Sequence, residues 1–242
     1  MKEKFKLGLI GKNISYSFSE KFFENKFQKL MLPDWSYQIF DLDDLSEVTS
    51  LFEDPQIIGL NVTIPYKTRI IAYLDELSAE AEKIGAVNTV LIKNNRKIGY
   101  NTDAAGFEKT LLLHRRDFHT DALILGDGGA AKAVKYILDK YAITYKTVSR
   151  QGKLNFENLS VEEVQNKHLV IQCTPVGTFP ETENCIPFPF QGLTDRHLVI
   201  DLIYNPNYTK FLKSAAEYGA KTVNGFYMLE QQAEKAWEIW KI

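Results

Sequence analysis

The segment GLNVTIPYK combines a polar strand end with a lysine just beyond it. Its apolar residues predict a buried strand, which Asn61 and Thr63 interrupt near the carboxyl end. Because Pro65 is typical of the first turn of a helix, we predict a helix over residues 66–74 that begins beside Lys67. The helix dipole disfavours a cation there, which suits a lysine that exchanges a proton with a substrate. The alternative for Lys67 taken alone is a solvated surface side chain.

Other polar side chains follow predicted strand ends in the first half of the chain. The carboxyl ends of parallel strands meet at one edge of a sheet, so we expect these side chains to converge. Hydroxyl and amide groups donate and accept hydrogen bonds, which suits a polyhydroxylated ligand, and Asp103 would add an acid–base partner for Lys67. Each residue alone is also explained as a turn former or a cap, with Ser19 as the N-cap of a helix. The set consists of Ser17, Ser19, Asn61, Thr63, Lys67, Asn88, Asn101 and Asp103.

A glycine-rich turn lies between a predicted strand and a predicted helix in the second half. Its sequence, Gly126-Asp127-Gly128-Gly129-Ala130-Ala131, fits the pattern G-x-G-x-x-G/A. Glycines let the backbone approach a pyrophosphate, and the helix N-terminus stabilises the negative charge. The turn therefore predicts a dinucleotide site, and an ordinary glycine-rich turn is the alternative.

The end of the next predicted strand indicates which dinucleotide binds. In NAD enzymes an acidic residue about 20 positions after the glycines holds the ribose hydroxyls. This chain instead has Ser149-Arg150, with Lys153 nearby and no carboxylate in between. Arg150 would hold a 2′-phosphate, so we predict NADP as the cofactor. Solvated loop cations are the alternative interpretation.

The order of predicted elements determines how these residues are positioned. Strands alternate with helices along residues 5–74, which predicts a parallel sheet. Two apolar segments flank Asn94-Asn95, a pair typical of a β-hairpin turn. The alternation restarts at Asp121 and includes predicted helices over residues 154–164 and 228–240. We therefore predict an α/β protein with two sheets.

Composition excludes several classes of function. The chain has 242 residues and a net charge of -2, so no global field favours nucleic acid or an acidic membrane. Cys173 and Cys185 suit a reducing compartment, and no apolar run reaches the length of a membrane span. The N-terminus lacks the apolar region of a signal peptide. We predict a cytoplasmic protein without nucleic-acid or membrane partners and, since the four histidines lack ligand spacing, without a metal.

Seven motifs occur in a fixed order along nearly the whole chain. They are Ser17-Phe18-Ser19, NVTIPYK ending at Lys67, GAVNT with Asn88, GYNTDAAG with Asp103, the glycine turn, DLIYNP with Tyr204, and GFYMLEQQ with Gln232. In this combination the chain resembles the shikimate dehydrogenases of bacterial aromatic amino acid biosynthesis. No single motif is specific, whereas the ordered set is.

The resemblance implies an oxidoreductase that reversibly reduces 3-dehydroshikimate to shikimate with NADPH, in the chorismate pathway. Lys67 would be the proton donor, and Asp103 would hold and tune it. Further implied cofactor contacts are Thr174 and Gly225. The implied substrate contacts are Ser17, Ser19 and Tyr204 for the carboxylate, and Asn61, Thr63, Asn88, Asp103 and Gln232 for the ring hydroxyls.

The resemblance also implies how the chain divides. Gln232 would belong to the substrate site although it follows the whole nucleotide-binding region, so we expect the C-terminal helix to return to the first domain. We predict an N-terminal, mostly parallel α/β substrate domain (residues 1–102 plus 220–242). The second domain is predicted as a Rossmann-type NADP-binding domain (residues 103–219).

Three departures from the family pattern affect the predicted site. Tyr16 and Glu20 replace a histidine and a proline beside the paired serines, and Gln172 replaces an asparagine in a T-P loop. The carboxylate of Glu20 would lie close to the predicted binding site for a substrate carboxylate.

Two alternative functions remain open from the sequence. One is a quinate/shikimate dehydrogenase with broader cofactor use, against which Arg150 and the two serines argue. The other is a non-catalytic metabolite-binding regulator of the same fold, in which we would expect Lys67 or Asp103 to be lost. Both a monomer and a homodimer are compatible with the sequence.

Overall fold

A computed structural model describes residues 4–14 and 17–241, so Tyr16 lies outside the described residues. The chain forms two compact units, residues 1–102 with 233–242 and residues 103–232. Residues 220–232 therefore group with the second unit, whereas they were predicted as part of the first domain. The assignment of one domain to substrate and the other to cofactor stays a prediction.

The first unit is built on a six-stranded sheet with the strand order β2-β1-β3-β5-β6-β4. In the described part of this sheet β5 runs antiparallel to its neighbours β3 and β6, while β1 pairs in parallel with β2 and β3. This matches the prediction of a mostly parallel sheet. Its elements are β1 (Phe5–Gly11), α1 (Phe18–Lys29), β2 (Trp35–Asp41), α2 (Val48–Glu53), β3 (Ile57–Val62), β4 (Glu76–Leu77), α3 (Ala79–Ile84), β5 (Thr89–Lys93) and β6 (Arg96–Tyr100).

The predicted hairpin turn at Asn94-Asn95 is confirmed. The two residues join β5 to β6 and have φ angles of 53° and 60°. Positive φ at both central positions is the conformation of a type I′ turn, which asparagine tolerates and which matches the twist of the flanking strands.

The helix predicted over residues 66–74 is wrong. Residues 64–68 form a turn, and a short 3₁₀ helix follows at Arg69–Tyr73. Tertiary contacts decide the conformation here, because the buried Tyr66 donates its hydroxyl to the carbonyl of Leu42 at 2.7 Å. Lys67 therefore precedes the 3₁₀ helix, and the helix-dipole argument does not apply to it.

The helix predicted over residues 154–164 is also mostly wrong, since only α6 (Val161–Gln165) is helical there. The side chain of Asn155 accepts hydrogen bonds from the backbone N–H groups of Glu157 and Asn158 at 2.9 and 3.1 Å. Such local bonds give the backbone an alternative to the helical ladder.

An aromatic cluster forms one core of the first unit. Phe23 stacks on Tyr37 with ring centroids 4.6 Å apart, and Trp240 packs against Phe23 at 5.5 Å. The indole N–H of Trp240 donates to the carbonyl of Val90 at 2.9 Å. Trp240 belongs to the C-terminal helix α8 (Phe226–Trp240), whose last eight residues lie in the first unit.

The second unit contains a five-stranded parallel sheet with the order β11-β10-β9-β7-β8. Counted within the unit this is the order 2-1-3-4-5, a doubly wound arrangement. The predicted Rossmann-type α/β fold is therefore confirmed. The elements are α4 (Thr102–His114), β7 (Asp121–Leu125), α5 (Gly129–Lys140), β8 (Thr144–Val148), β9 (Leu169–Gln172), β10 (Leu198–Asp201), α7 (Lys210–Glu217) and β11 (Lys221–Val223), with α6 between β8 and β9.

Among the helices of the described ranges, none is long and apolar enough to cross a lipid bilayer.

The first prediction concerns the contact between β3 and α8. A Cβ added at Gly59 would lie 2.2 Å from Nε1 of Trp240, so Gly59→Ala forces this packed core apart. We expect a loss of about 1–3 kcal/mol in the free energy of unfolding, measured by urea titration.

A double-mutant cycle with Trp240→Phe separates this clash from a general cost of alanine in the strand. Phenylalanine removes the atom that the new methyl group meets, so the double variant should be less destabilised than the sum of the two single variants. Strict additivity would contradict the proposed contact.

Candidate active site

Buried amide and hydroxyl groups meet at one edge of the first sheet. The carboxyl ends of β3 and β6 and the amino end of the antiparallel β5 lie at this edge, with Asn61 opposite Thr89. Asn61, Asn88, Thr89 and Thr102 are all buried there, with at most 4 % of any of them exposed. Buried polar groups are costly unless they are hydrogen-bonded, so their partners define the site.

Asn88 ties the end of β6 to the start of β5. Its Oδ1 accepts a hydrogen bond from the backbone N–H of Thr102 at 2.6 Å, and its Nδ2 donates to the hydroxyl of Thr102 at 3.0 Å. Asn61 donates to the carbonyl of Asn88 and to the hydroxyl of Thr89, both at 3.2 Å. Asn101 donates to the carbonyl of Ala86 at 2.9 Å.

Thr89 and Thr102 were not predicted as site residues from the sequence. Both residues directly follow an asparagine of the predicted site, in the repeated pair Asn-Thr at 88–89 and 101–102. The repeated pair lies at the start of β5 and just after the end of β6. It is the sequence feature that could have identified the two threonines.

Lys67 lies in a turn whose backbone is held by hydrogen bonds at Lys67 and at the residue before it. Its own carbonyl accepts from the N–H of Val87 at 2.8 Å, and the N–H of the preceding Tyr66 donates to the carbonyl of Thr63 at 2.9 Å. The backbone of Thr63 is in turn bonded to Ile10. Lys67 and Thr63 are both partly exposed, so the structure places them at the accessible end of the buried amide network.

The paired serines lie at the start of α1, and they have different roles from those predicted. Ser17, not Ser19, is the N-cap, and its hydroxyl accepts from the N–H of Ser19 at 3.2 Å. Ser19 is buried. Burial raises the pKa of Tyr37, and the charge of Glu20 raises it further, so this hydroxyl stays protonated.

In the second unit, the predicted cofactor residues lie at the carboxyl edge of the parallel sheet. Gly126 follows β7, Ser149 follows β8 and Thr174 lies just beyond β9. Strands β7 and β9 flank the position at which the strand order reverses, where doubly wound sheets bind ligands. A Cβ at Gly126 would lie 2.9 Å from Cγ2 of Thr174, so the two strand ends approach closely.

The glycine turn leaves room for a phosphate. Gly126 has a φ of 110°, a conformation that favours glycine, whereas Gly128 is extended at the N-terminus of α5. A Cβ at Gly128 would meet no atom of the described chain within 4 Å, and no described side chain caps this helix. Packing within the chain does not require glycine at 128, and the open space before Gly129, Ala130 and Ala131 fits a pyrophosphate.

Charges around this turn suit NADP. Arg150 and Lys153 are exposed in the turn after β8, which the N–H of Ser149 closes by donating to the carbonyl of Leu154 at 3.2 Å. Asp127, inside the glycine turn, is paired with Lys135 at 2.5 Å. The pair neutralises a carboxylate that would otherwise repel a phosphate.

Gln172 replaces the asparagine of the family pattern and holds the loop that carries Thr174. The fully buried side chain accepts from the N–H of Thr174 at 2.5 Å and donates to its carbonyl at 3.1 Å. It also donates to the carbonyl of Val176 at 3.4 Å. The longer amide therefore closes the loop from both sides.

Asp201 fixes the start of the loop that carries Tyr204, and it was not singled out from the sequence. The fully buried carboxylate accepts from the N–H of Ile203 at 3.0 Å and from the hydroxyl of Thr209 at 2.7 Å. Burial raises the pKa of Asp201 to about 6, and these two hydrogen bonds limit the increase. Tyr204 itself is partly exposed.

The remaining predicted residues lie on or beside α4 and α8. Asp103 is buried in the first turn of α4, and Gln232 on α8 donates to the carbonyl of Leu229 at 3.0 Å. A Cβ at Gly106 would lie 3.2 Å from Cβ of Gln232, so the two helices pack closely one turn after Asp103. Gly225 precedes α8, where a Cβ would lie 2.1 Å from the carbonyl oxygen of Leu202.

Comparison with known proteins gives a consistent result. A family described as "Shikimate dehydrogenase substrate binding domain" matches residues 9–90. A shikimate dehydrogenase (NADP(+)) of Desulforamulus reducens is 37% identical, over 96% of this chain and 88% of that protein. One from Methanococcus maripaludis is 38% identical, over 97% and 91%. The Thermus thermophilus enzyme, solved with NADP(H) and shikimate, superposes with a TM-score of 0.86 at 29% identity, covering 98% of this chain and 93% of that one.

The second prediction tests the glycine turn. Gly128→Ala should weaken binding of NADP at least about tenfold, because the methyl group fills the space before the helix N-terminus. Its free energy of unfolding should change by less than about 1 kcal/mol, since the backbone is extended and no atom is displaced. Fluorescence titration with NADP and urea unfolding measure the two quantities.

Gly126→Ala is the matched control within the same turn. Its φ of 110° and the nearby Thr174 make alanine strained at this position, so this variant should lose stability as well as binding. A Gly128→Ala protein that binds NADP like the wild type would contradict the placement of the pyrophosphate.

The third prediction concerns pH and Asp201. Because its pKa is raised from 3.8 to about 6, the folded protein binds more protons than the unfolded chain between these values, and stability falls as pH rises through this window. Asp201→Asn keeps an acceptor and removes the charge. The free energy of unfolding of the variant, relative to wild type, should rise by about 3 kcal/mol between pH 4 and pH 7. Urea titrations at several pH values test this, and a difference that does not vary with pH would refute it.

Proposed function

This chain belongs to the shikimate dehydrogenase family, and from that premise we propose that it catalyses the reversible NADPH-dependent reduction of 3-dehydroshikimate to shikimate. The family membership is shown by relatives more than one third identical over nearly the whole chain. The proposal includes the role in aromatic amino acid biosynthesis, a small-molecule substrate, and the predicted cytoplasmic location.

The observation that carries this proposal is the fixed turn of Lys67 beside the buried amide network of Asn61 and Asn88. A ketone that becomes an alcohol needs one proton at the oxygen, and we assign the transfer of that proton to the amino group of Lys67. Neighbouring hydroxyl and amide groups match a ring with several hydroxyls. The assignment of Asp103 as the partner of Lys67 stays a prediction.

We assign the substrate carboxylate to the hydroxyls of Ser17, Ser19 and Tyr204. Neutral donors bind a carboxylate without the desolvation cost of a buried cation. The ring hydroxyls are assigned to Thr63, Asn88 and Gln232, together with Asn61 and Asp103.

We assign NADP to the glycine turn of the second unit, and we assign its 2′-phosphate to Arg150 and Lys153. The bound nicotinamide supplies the hydride in one direction and accepts it in the other. Thr174 and Gly225 complete the set of residues that we assign to cofactor binding. Their backbone positions are set by Gln172 and by the close approach of residue 225 to Leu202.

Steady-state assays test the proposal directly. NADPH formation is followed at fixed enzyme concentration with shikimate and NADP, then with quinate in place of shikimate, and then with NAD in place of NADP. We expect the highest kcat/KM for shikimate with NADP. Higher kcat/KM for quinate with NAD would favour the quinate enzyme, and no turnover of either acid would favour the non-catalytic regulator.

The fourth prediction assigns the proton to Lys67. Lys67→Ala should lower kcat by about 10²- to 10⁴-fold, because it removes the general acid, while the KM for shikimate changes far less. Lys12→Ala is the control, since Lys12 is an exposed lysine of the same unit that pairs with Asp43 at 3.4 Å. The control should keep wild-type kcat, and a Lys67→Ala enzyme with near wild-type kcat would exclude the assigned role.

A further inference from the structure

Tyr37 brings a single polar atom into the aromatic core of the first unit. Its ring lies on β2, is 3 % exposed and stacks on Phe23 at an interplanar angle of 10°. Its hydroxyl donates to Oδ1 of Asn61 at 2.8 Å. The hydroxyl therefore bonds a residue that we assign to the ring hydroxyls of the substrate.

The bond from Tyr37 decides which way the Asn61 amide points. Both N–H donors of Asn61 are directed to β5, at the carbonyl of Asn88 and the hydroxyl of Thr89. Oδ1 must then be satisfied on the other side, and Tyr37 supplies that donor. Without it, a buried acceptor loses its partner, and the amide is free to shift or to rotate.

We propose that Tyr37 is a positioning residue of the substrate site, which sets the orientation of the Asn61 amide through its hydroxyl. This inference rests on the proposed function, because Asn61 matters here as a substrate contact. It assigns to Tyr37 an effect on substrate binding rather than on the proton or hydride step.

Tyr37→Phe tests the inference, because it keeps the stacked ring and removes only the hydroxyl. The KM for shikimate should rise about 5- to 30-fold, whereas kcat and the KM for NADP stay close to the wild-type values. Tyr141→Phe is the control, since Tyr141 donates its hydroxyl to Glu108 at 2.6 Å and neither residue is among those that we assign to substrate or cofactor. Both variants should lower Tm, and only Tyr37→Phe should raise the KM for shikimate.

A cycle with Asn61→Ala shows whether Tyr37 acts through the amide. In the Asn61→Ala background, Tyr37→Phe should raise the KM for shikimate much less than in the wild type. The same increase in both backgrounds would overturn this route, and an equal increase in Tyr141→Phe would show a general effect of losing a tyrosine hydrogen bond. An unchanged KM in Tyr37→Phe, with an active wild type, refutes the inference alone. A wild-type chain that does not turn over shikimate refutes the proposed function instead.

Discussion

The structure of the first unit depends on hydrogen bonds to the buried side-chain amides of Asn61 and Asn88. A buried amide without partners costs several times what a typical hydrogen bond contributes, so the surrounding backbone must supply donors and acceptors. Asn88 obtains them from Thr102, which joins the end of β6 to the start of β5. The adjacent Val87 then bonds the carbonyl of Lys67. The position of the partly exposed Lys67 thus follows from a network of buried hydrogen bonds.

The binding edge of the second unit is different. The start of α5 at Gly128 has no side-chain cap among the described residues, and Arg150 and Lys153 are exposed cations. Gln172 and Asp201, the last residues of β9 and β10, are buried at this edge and bond to loop backbone. Hydroxylated rings need several directed hydrogen bonds, whereas a phosphate needs free N–H groups and positive charge. The two edges differ as these two kinds of ligand require.

Local sequence patterns predicted the parts of the fold that depend on the backbone conformation of a few neighbouring residues. The hairpin at Asn94-Asn95 and the glycine turn at Gly126 need positive φ angles, which few residues tolerate, so the sequence identifies them. The segment after Pro65 was predicted as a helix and is not one, because the bond from Tyr66 to Leu42 overrides its propensity. That bond joins residues 24 positions apart, and no local pattern contains it.

Site residues on strands were harder to predict than site residues in turns. Polar or flexible residues mark the ends of strands in a sequence. This pattern identifies Ser17, Lys67 and Gly128. Tyr37 and Thr89 are of types that favour strands, so their side chains resemble ordinary core or sheet surface in the sequence. Their roles arise only from pairing, since Thr89 lies opposite Asn61 and the Tyr37 hydroxyl reaches the same amide across the sheet.

The two described departures from the family pattern have different physical consequences. The side chain of Gln172 is one methylene longer than that of asparagine, and it still bonds both the N–H and the carbonyl of Thr174. At Glu20 the new charge stabilises the first turn of α1 through the helix dipole, yet it lies where it acts on Tyr37. The same carboxylate that favours the helix also opposes negative charge near Ser19. A substitution that helps the fold therefore works against an anionic ligand.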